Sequence, residues 1–197
     1  LIQGDVGCGK TICAILLMLA MSDNGYQSVL MAPTGVLAKQ HYEEIQRYLT
    51  PFGLEAVYLS GELKASEKKK ALKKIENGET DFVVGTHSVI TDKVKFKNLA
   101  LTIIDEEHKF GVIQKENLRK KAEEGVHSVT MSATPIPRSL ALTLYDDALD
   151  IYTITTMPSG RKPVKTAIVN YPVAIYKFMQ KEIDLGHQGY IVCPKIE

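Results

Sequence analysis

Short apolar runs alternate with longer amphipathic stretches along this chain, and this alternation constrains the fold more than any other feature. Each run is apolar on both faces and bounded by Gly, Pro, Asp or Thr, which is typical of strands buried in a parallel sheet. The internal runs span residues 28–32, 56–59, 82–85, 101–105 and 128–132. The amphipathic segments that predict helices span residues 10–21, 35–49, 66–77, 111–124 and 137–145. The pattern predicts a doubly wound α/β domain with a mostly parallel sheet.

A segment rich in proline and glycine interrupts this alternation after residue 157. It contains two prolines, a glycine and a serine, a composition typical of a linker. We therefore expect a first domain over residues 1–157, a linker over 158–164 and the start of a second α/β domain over 165–197. In that second part we expect a strand at 166–169, a helix at 173–185 and a strand near Tyr190. Because the chain begins and ends inside apolar runs and lacks an initiating Met, we expect a segment of a longer protein.

Composition narrows the class of protein. The 24 basic and 23 acidic residues leave a net charge of +1, so the whole chain has no basic excess, although a local basic patch is enough to bind nucleic acid. No apolar run reaches the roughly 18 residues of a membrane helix, and we expect no secretory signal. Three cysteines at spacings that fit no zinc site favour a reducing compartment. We expect a soluble cytoplasmic protein with no membrane partner.

The first eleven residues contain the pattern of a phosphate-binding loop, Gly-x-x-x-x-Gly-Lys-Thr. Glycines allow successive backbone amides to point at one anion, and the positive end of the following helix faces the same anion. We expect Lys10 to reach the β- and γ-phosphates of a nucleotide and the Thr11 hydroxyl to bind Mg²⁺. The nucleotide-binding candidates are Gly4, Gly7, Cys8, Gly9, Lys10 and Thr11. The alternative is a glycine-rich turn with an unrelated lysine, which the flanking strand and helix patterns disfavour.

The acidic segment Asp105-Glu106-Glu107-His108 directly follows an apolar strand. Carboxylates at the carboxyl end of a central strand lie at the ligand crevice of an open α/β sheet. Hydrolysis of a nucleotide bound with Mg²⁺ needs one carboxylate to hold the metal's shell and another to orient the attacking water. We assign Asp105 to the metal, through a water molecule, and Glu106 to the water as the catalytic base. An exposed acidic turn is the alternative when the tetrapeptide is taken alone.

Three further polar clusters end strands, and in isolation each is an ordinary turn with a capping hydroxyl. They are Ala32-Pro33-Thr34, Gly85-Thr86-His87 and Ser132-Ala133-Thr134. Together with the phosphate loop and the acidic segment, in this order, they resemble the motifs of superfamily 2 helicases. The resemblance covers essentially the whole chain. It implies a RecA-like fold for the nucleotide-binding domain and for the second domain that begins after the linker.

A finer resemblance is to the bacterial ATP-dependent helicases that drive branch migration. It is carried by residues 3–7, 31–34, 105–112, 131–138 and 158–163. The transcription-repair coupling translocase shares residues 110–112 and 134–138 and is the alternative within the superfamily. The linker sequence Gly-Arg-Lys-Pro at 160–163 favours the first group. Cys8 departs from the group, which commonly has serine there, but that position contributes mainly its backbone amide.

The resemblance implies a motor that hydrolyses Mg-ATP and drives branched double-stranded DNA, acting as a monomer in the bacterial cytoplasm. It implies contacts to the DNA backbone, without base reading, from Pro33, Thr34, Gly85, Thr86 and His87. It also implies that His108, Ser132 and Thr134 couple the nucleotide state to the grip on DNA. The arginine fingers of the family lie in the second motor domain, so we expect this chain alone not to hydrolyse ATP.

Two functions from other classes share the phosphate loop. A P-loop kinase transfers phosphate to a small molecule, and its turnover rises with that acceptor. A nucleotide switch binds a protein partner, turns over slowly and ignores DNA. An ATPase stimulated by branched DNA distinguishes the motor from both, and the acidic and Ser-Ala-Thr segments favour the motor.

Overall fold

The computed structural model describes residues 1–121, 125–134, 149–156 and 164–193. The chain divides into two compact units, Leu1–Ser159 and Gly160–Glu197. The helix expected at 137–145 and most of the expected linker fall outside the described residues. Within the described residues, no helix combines the length and the apolar character needed to span a membrane.

In its described residues, the first unit is built on a sheet of seven strands, all of whose neighbouring pairs are parallel. The strands are β1 (Ile2–Gly4), β2 (Gln27–Met31), β3 (Ala56–Leu59), β4 (Phe82–Gly85), β5 (Leu99–Asp105), β6 (His127–Ser132) and β7 (Tyr152–Ile154). Their spatial order is β3-β4-β2-β5-β6-β1-β7. The predicted α/β class with a mostly parallel sheet is confirmed, and the carboxyl ends of the strands share one edge.

Four α-helices in the described part of the first unit connect these strands. They are α1 (Lys10–Asp23), α2 (Gly35–Leu49), α3 (Ala65–Asn77) and α4 (Val112–Arg119). The first three were predicted to within a few residues. The fourth ends at Arg119, before the predicted end at 124, and residues 122–124 are not described. Short 3₁₀ turns follow α2, β4 and β5, at Thr50–Phe52, His87–Ile90 and Glu107–Lys109.

The helices cover both faces of the sheet, because alternate strand residues point to opposite sides. On one face, Leu30 of β2 packs with buried residues of α1 and α2. On the other face, its neighbours Val29 and Met31 pack with buried residues of α3 and α4. Each fully buried large apolar side chain contributes about 1.5–3 kcal/mol to folding. The two cores fix the sheet between its helices and confirm the doubly wound arrangement.

The second unit contains one described helix, α5 (Pro172–Asp184). The strands expected at 166–169 and near Tyr190 are absent from the described residues 164–171 and 185–193, so those two predictions were wrong. A strand needs a neighbour for its backbone hydrogen bonds, and the described part of this unit offers none. Apolar residues in both segments are exposed instead, Ile168 at 96% and Val192 at 92%.

Candidate functional site

The functional candidates lie in loops at the carboxyl edge of the sheet. The phosphate loop follows β1, the acidic segment follows β5 and the Ser-Ala-Thr segment follows β6, which lies between those two strands. The Ala-Pro-Thr and Gly-Thr-His segments follow β2 and β4, the pair next to β5 on its other side. The strand order therefore divides the edge into a nucleotide half and a second polar half, as expected for ligand sites in open α/β sheets.

The phosphate loop runs from the end of β1 to the first residue of α1. Gly7 and Gly9 adopt positive φ angles of 80° and 101°, which side chains rarely tolerate. A Cβ at either position would meet no atom within 4 Å, so both glycines open onto free space. Gly4 lies buried beneath the loop, where a Cβ would come 2.9 Å from the carbonyl oxygen of Ile154 in β7. Half-buried Cys8 donates its amide to the Asp5 carbonyl at 3.2 Å.

Lys10 is folded back over its own loop. Its Nζ donates to the Gly4 carbonyl at 2.8 Å and to the Asp5 carbonyl at 3.1 Å. These contacts hold the cation at the mouth of the loop, although both are with neutral acceptors. An incoming phosphate offers a charged acceptor, which makes the stronger hydrogen bond. Contact of Lys10 with the phosphates of a nucleotide stays a prediction.

The three carboxylates of the acidic segment point in different directions. Asp105 ends β5 and is 8% exposed, and its Oδ2 lies 2.6 Å from Nε2 of His41 in α2. Glu106 adopts a left-handed backbone, φ 51° and ψ 54°, and its Oε2 lies 3.4 Å from Nδ1 of His108. Glu107 turns away to α4, where its Oε1 accepts from Lys115 Nζ at 2.6 Å. Asp105 and Glu106, unlike Glu107, line a cavity together with residues of the phosphate loop.

A cavity of about 470 Å³ joins these parts. It is lined by Val6, Gly7, Gly9, Lys10, Thr11, Ile12, Gln40, Glu44, Asp105, Glu106, Met131 and Ala133. Two predicted nucleotide residues, Gly4 and Cys8, are not in its wall. The cavity brings one cation, one hydroxyl and two candidate carboxylates together from segments about 95 residues apart.

The donor set of the cavity fits Mg²⁺ bound with a nucleotide. Thr11 and Asp105 supply a hydroxyl and a carboxylate, both hard oxygen ligands. Within the described residues, no group of three or more His, Cys, Asp or Glu side chains is arranged to hold a metal. Mg²⁺ in nucleotide sites commonly uses one or two protein ligands and takes its remaining ligands from phosphates and water. The residues present match that arrangement and do not form a closed metal cage.

Ser132 and Thr134 form a small hydroxyl cluster at the end of β6. The Ser132 hydroxyl is buried and lies 2.9 Å from Oγ1 of Thr134, and it accepts the Thr134 amide at 3.2 Å. Ala133, between them, lines the cavity. His108 lies in the 3₁₀ turn after β5, with its side chain 49% exposed. None of these three candidates for coupling is in the cavity wall, although Ala133 and Glu106 near them in sequence are.

The candidates on the second polar half differ in their exposure. Thr34 is exposed at the start of α2, where its hydroxyl accepts the Leu37 amide at 3.3 Å, and Pro33 is half-buried. His87 is exposed at the first residue of its 3₁₀ turn. Thr86, by contrast, is only 5% exposed, and its amide donates to the Leu59 carbonyl at 3.3 Å.

Gly85 is also buried, and a Cβ there would collide with the backbone of Leu59 in β3. In this structure Thr34 and His87 present side chains to the surface, whereas Gly85 and Thr86 serve the packing beneath them.

Helix α2 contributes residues that sequence reasoning missed. Gln40 and Glu44 line the cavity, and His41 contacts Asp105. The sequence carried one signal, a histidine within the otherwise apolar stripe of an amphipathic helix. That signal shows that the residue is buried but does not show its partner, which comes from a strand 64 positions away.

Comparison with known proteins gives a family match over most of the chain. The DEAD/DEAH box helicase family matches residues 1–143. The ATP-dependent DNA helicase RecG of Borreliella burgdorferi is 47% identical over 198 residues, covering 100% of this chain and 29% of the relative. RecG of Aquifex aeolicus is 46% identical, covering 100% of this chain and 25% of the relative. The chain thus spans between a quarter and a third of the length of these relatives.

Solved structures give the same result. A structure of RecG bound to a three-way DNA junction matches with a TM-score of 0.82 and 42% identity, covering 99% of this chain and 26% of that chain. RecG is an ATP-dependent DNA helicase, the class that the motifs resemble, so that resemblance is confirmed. The Hef helicase domain of Pyrococcus furiosus matches with a TM-score of 0.59 and 20% identity, covering 79% of this chain and 35% of that chain, a likeness of fold alone.

Proposed function

Because this chain belongs to the DEAD/DEAH box helicase family, we propose that it is the nucleotide-hydrolysing part of a RecG-type DNA helicase. The whole protein would couple Mg-ATP hydrolysis to branch migration and fork reversal in DNA recombination and repair. The observation that carries this proposal is the cavity in which Lys10 and Thr11 face Asp105 and Glu106. The similarity to RecG over the full length of the chain supports the choice of substrate.

We assign a chemical task to each side of the cavity. Amides of the phosphate loop and the Lys10 ammonium bind and orient the phosphates of ATP. Thr11 and, through water, Asp105 hold Mg²⁺, which when bound neutralises charge on the phosphates. Glu106 orients the attacking water and accepts its proton. His108, 3.4 Å from Glu106, and the Ser132–Thr134 cluster report the nucleotide state to the DNA-facing surface.

We assign the second polar half of the sheet edge to the DNA backbone. Thr34 at the amino end of α2 and exposed His87 offer a hydroxyl, an imidazole and a helix terminus to phosphates. Pro33, Gly85 and Thr86 shape this surface from below. Contacts of this kind fix position on a duplex without reading its sequence, which suits a motor that moves along DNA. We propose a monomer that acts in the bacterial cytoplasm.

The test is the ATPase rate of the full-length protein with a three-way DNA junction, with linear duplex and without DNA. We expect the junction to raise turnover most, because the motor engages branched DNA. A rate that ignores DNA but rises with a small-molecule acceptor would identify a kinase. A slow rate unaffected by either would identify a nucleotide switch. Stimulation by the junction in the absence of RNA polymerase also favours the RecG type over the coupling translocase.

A further inference from the structure

His41 is a polar side chain in an apolar position. The buried residues of α2, a helix that the structure describes completely, are Ala38, His41, Ile45 and Leu49. Their spacing places them on one face of the helix, against the sheet. An imidazole buried there costs free energy unless its nitrogens are hydrogen-bonded, whereas leucine would carry no such cost. Packing alone therefore does not explain a histidine at this position.

The partner of His41 is Asp105. The two side chains are 10% and 11% exposed, and Nε2 lies 2.6 Å from Oδ2. A carboxylate that is ionised only accepts, so this hydrogen bond then requires the ring proton on Nε2. Nδ1, the other ring nitrogen, is buried and has no hydrogen-bond partner in the described part of the chain. Among the described residues, the imidazole of His41 therefore makes its polar contact with the Asp105 carboxylate.

Asp105 is held at both of its oxygens. Oδ2 accepts from His41, and Oδ1 accepts the backbone amide of Glu106 at 3.0 Å. Two hydrogen bonds to a buried carboxylate restrict it to one rotamer, since rotation would break both. A reactive constellation needs this kind of support from residues behind it.

Helix α2 reaches both halves of the sheet edge. It begins after Thr34, which caps its first turn through the Leu37 amide, and His41 lies about two turns further on. Gln40 and Glu44, on the same helix, line the nucleotide cavity. One continuous helix therefore connects the surface assigned to DNA, the wall of the cavity and the metal carboxylate.

We propose that His41 is a positioning residue that holds Asp105 in the orientation needed for Mg²⁺ and makes that orientation respond to DNA through α2. This inference rests on the proposed function, in which Asp105 holds the metal's shell. A displacement of α2 by a DNA contact at its amino end moves Nε2 relative to Oδ2. The affinity of the site for Mg²⁺ then depends on whether DNA is bound.

The test compares His41→Gln with His41→Asn in the full-length protein. Both variants carry a neutral amide, but glutamine places its nitrogen near the position of Nε2, whereas asparagine is one methylene shorter and cannot reach Asp105. The first measurement is the Mg²⁺ concentration that half-saturates binding of a fluorescent ATP analogue. We expect His41→Asn to raise it about 10–100-fold, the usual effect of losing a residue that orients a metal ligand, and His41→Gln to change it much less.

Nucleotide binding without Mg²⁺ should be equal in both variants, because Lys10 and the loop are unchanged. The matched control is Ile45→Ala, one turn further along the same buried stripe. It should lower the melting temperature without moving the Mg²⁺ half-saturation, which separates loss of packing from loss of orientation.

The same titration repeated with a three-way junction tests the coupling. In the unmodified protein, DNA should shift the Mg²⁺ half-saturation, and His41→Asn should abolish that shift. Equal Mg²⁺ dependence in the two amide variants, or a full DNA shift in His41→Asn, overturns the inference. If Asp105→Asn itself leaves Mg²⁺ dependence unchanged, the proposed function is wrong, which is a distinguishable result.

A further measurement needs no variant. ¹⁵N NMR of the unmodified protein with labelled histidines reports which ring nitrogen of His41 carries the proton. We expect a proton on Nε2, held by Asp105. An unprotonated Nε2 overturns the inference even if both amide variants fail to fold.

Discussion

Glu106 combines a position in the cavity wall with a strained backbone. It is the one non-glycine residue with positive φ among those that the structure describes. A side chain in the left-handed region costs about 1–2 kcal/mol, and strain of this kind concentrates at functional sites. In this case the strain turns the chain sharply after β5, so that the carboxylate of Glu106 faces the cavity while Glu107 faces α4.

This strain predicts a difference between two variants that both lose the carboxylate. Glu106→Gly should be more stable than Glu106→Ala by about 1 kcal/mol in free energy of unfolding, because glycine tolerates the left-handed backbone and alanine does not. Urea denaturation of both proteins measures the difference, and both should lack ATP hydrolysis. An alanine variant as stable as the glycine variant would show that the backbone relaxes and stores no strain.

The sequence was sufficient to predict the cation, the hydroxyl and the two carboxylates that share the cavity, but not Gln40 and Glu44 in its wall or the residues that support the site. Lys10 and Thr11 belong to a local sequence pattern that binds phosphate, and Asp105 ends an apolar run that is recognisable as a buried strand. The role of His41 depends on the distance between α2 and β5, which no local pattern contains. Thr86 is an example of the opposite kind. Its position at a strand end led to its assignment to a contact with DNA, but in the structure the residue lies buried under its turn.

At the scale of elements, the strands buried on both faces were predictable because their runs are apolar throughout. Strand β7 (Tyr152–Ile154) was missed. It lies at the sheet edge beside β1, its residues are exposed or half-buried, and its short β-branched run resembles an ordinary loop. The strand expected at 166–169 failed for the related reason that an apolar run forms a strand only where a neighbour exists to pair with it.

Contact between β3 and β4 depends on one glycine. A Cβ at Gly85 would collide with the Leu59 carbonyl and lie 2.7 Å from Cγ1 of Val89, neither of which is a flexible tip. We expect Gly85→Ala to lower the free energy of unfolding by about 1–3 kcal/mol, the usual cost of overpacking. Gly61→Ala is the matched control, since the nearest atom to its Cβ is 3.9 Å away. Chemical denaturation that gives equal stabilities would contradict the close approach.

At the scale of the whole molecule, we propose that this cavity alone does not suffice for catalysis. Lys10 is the one cation among the lining residues that the structure describes. Charge that develops on the transferred phosphoryl group needs a further cation, and an arginine finger contributes roughly 10³–10⁵ in rate in related enzymes. The chain spans 25–29% of the RecG relatives compared above, so we propose that the remainder of such a protein supplies that cation.

If the rest of the protein supplies that cation, residues 1–197 alone should bind ATP weakly and hydrolyse it negligibly, with or without forked DNA. Phosphate release by the isolated chain, measured beside the full-length protein, should be lower by about 10³ or more. Circular dichroism of the isolated chain is the control for folding. Comparable turnover by the two proteins would mean that the finger lies within these 197 residues.

We propose that one cavity binds Mg-ATP and hydrolyses it in response to branched DNA, with Glu106 as the base. The most direct test is the ATPase rate of full-length Glu106→Gln with a three-way junction, together with its ATP dissociation constant. The amide keeps the shape of the side chain but cannot accept the proton of water, so we expect unchanged ATP affinity and a rate reduced by about 10²–10⁴. A junction-stimulated rate equal to that of the unmodified protein would contradict the account.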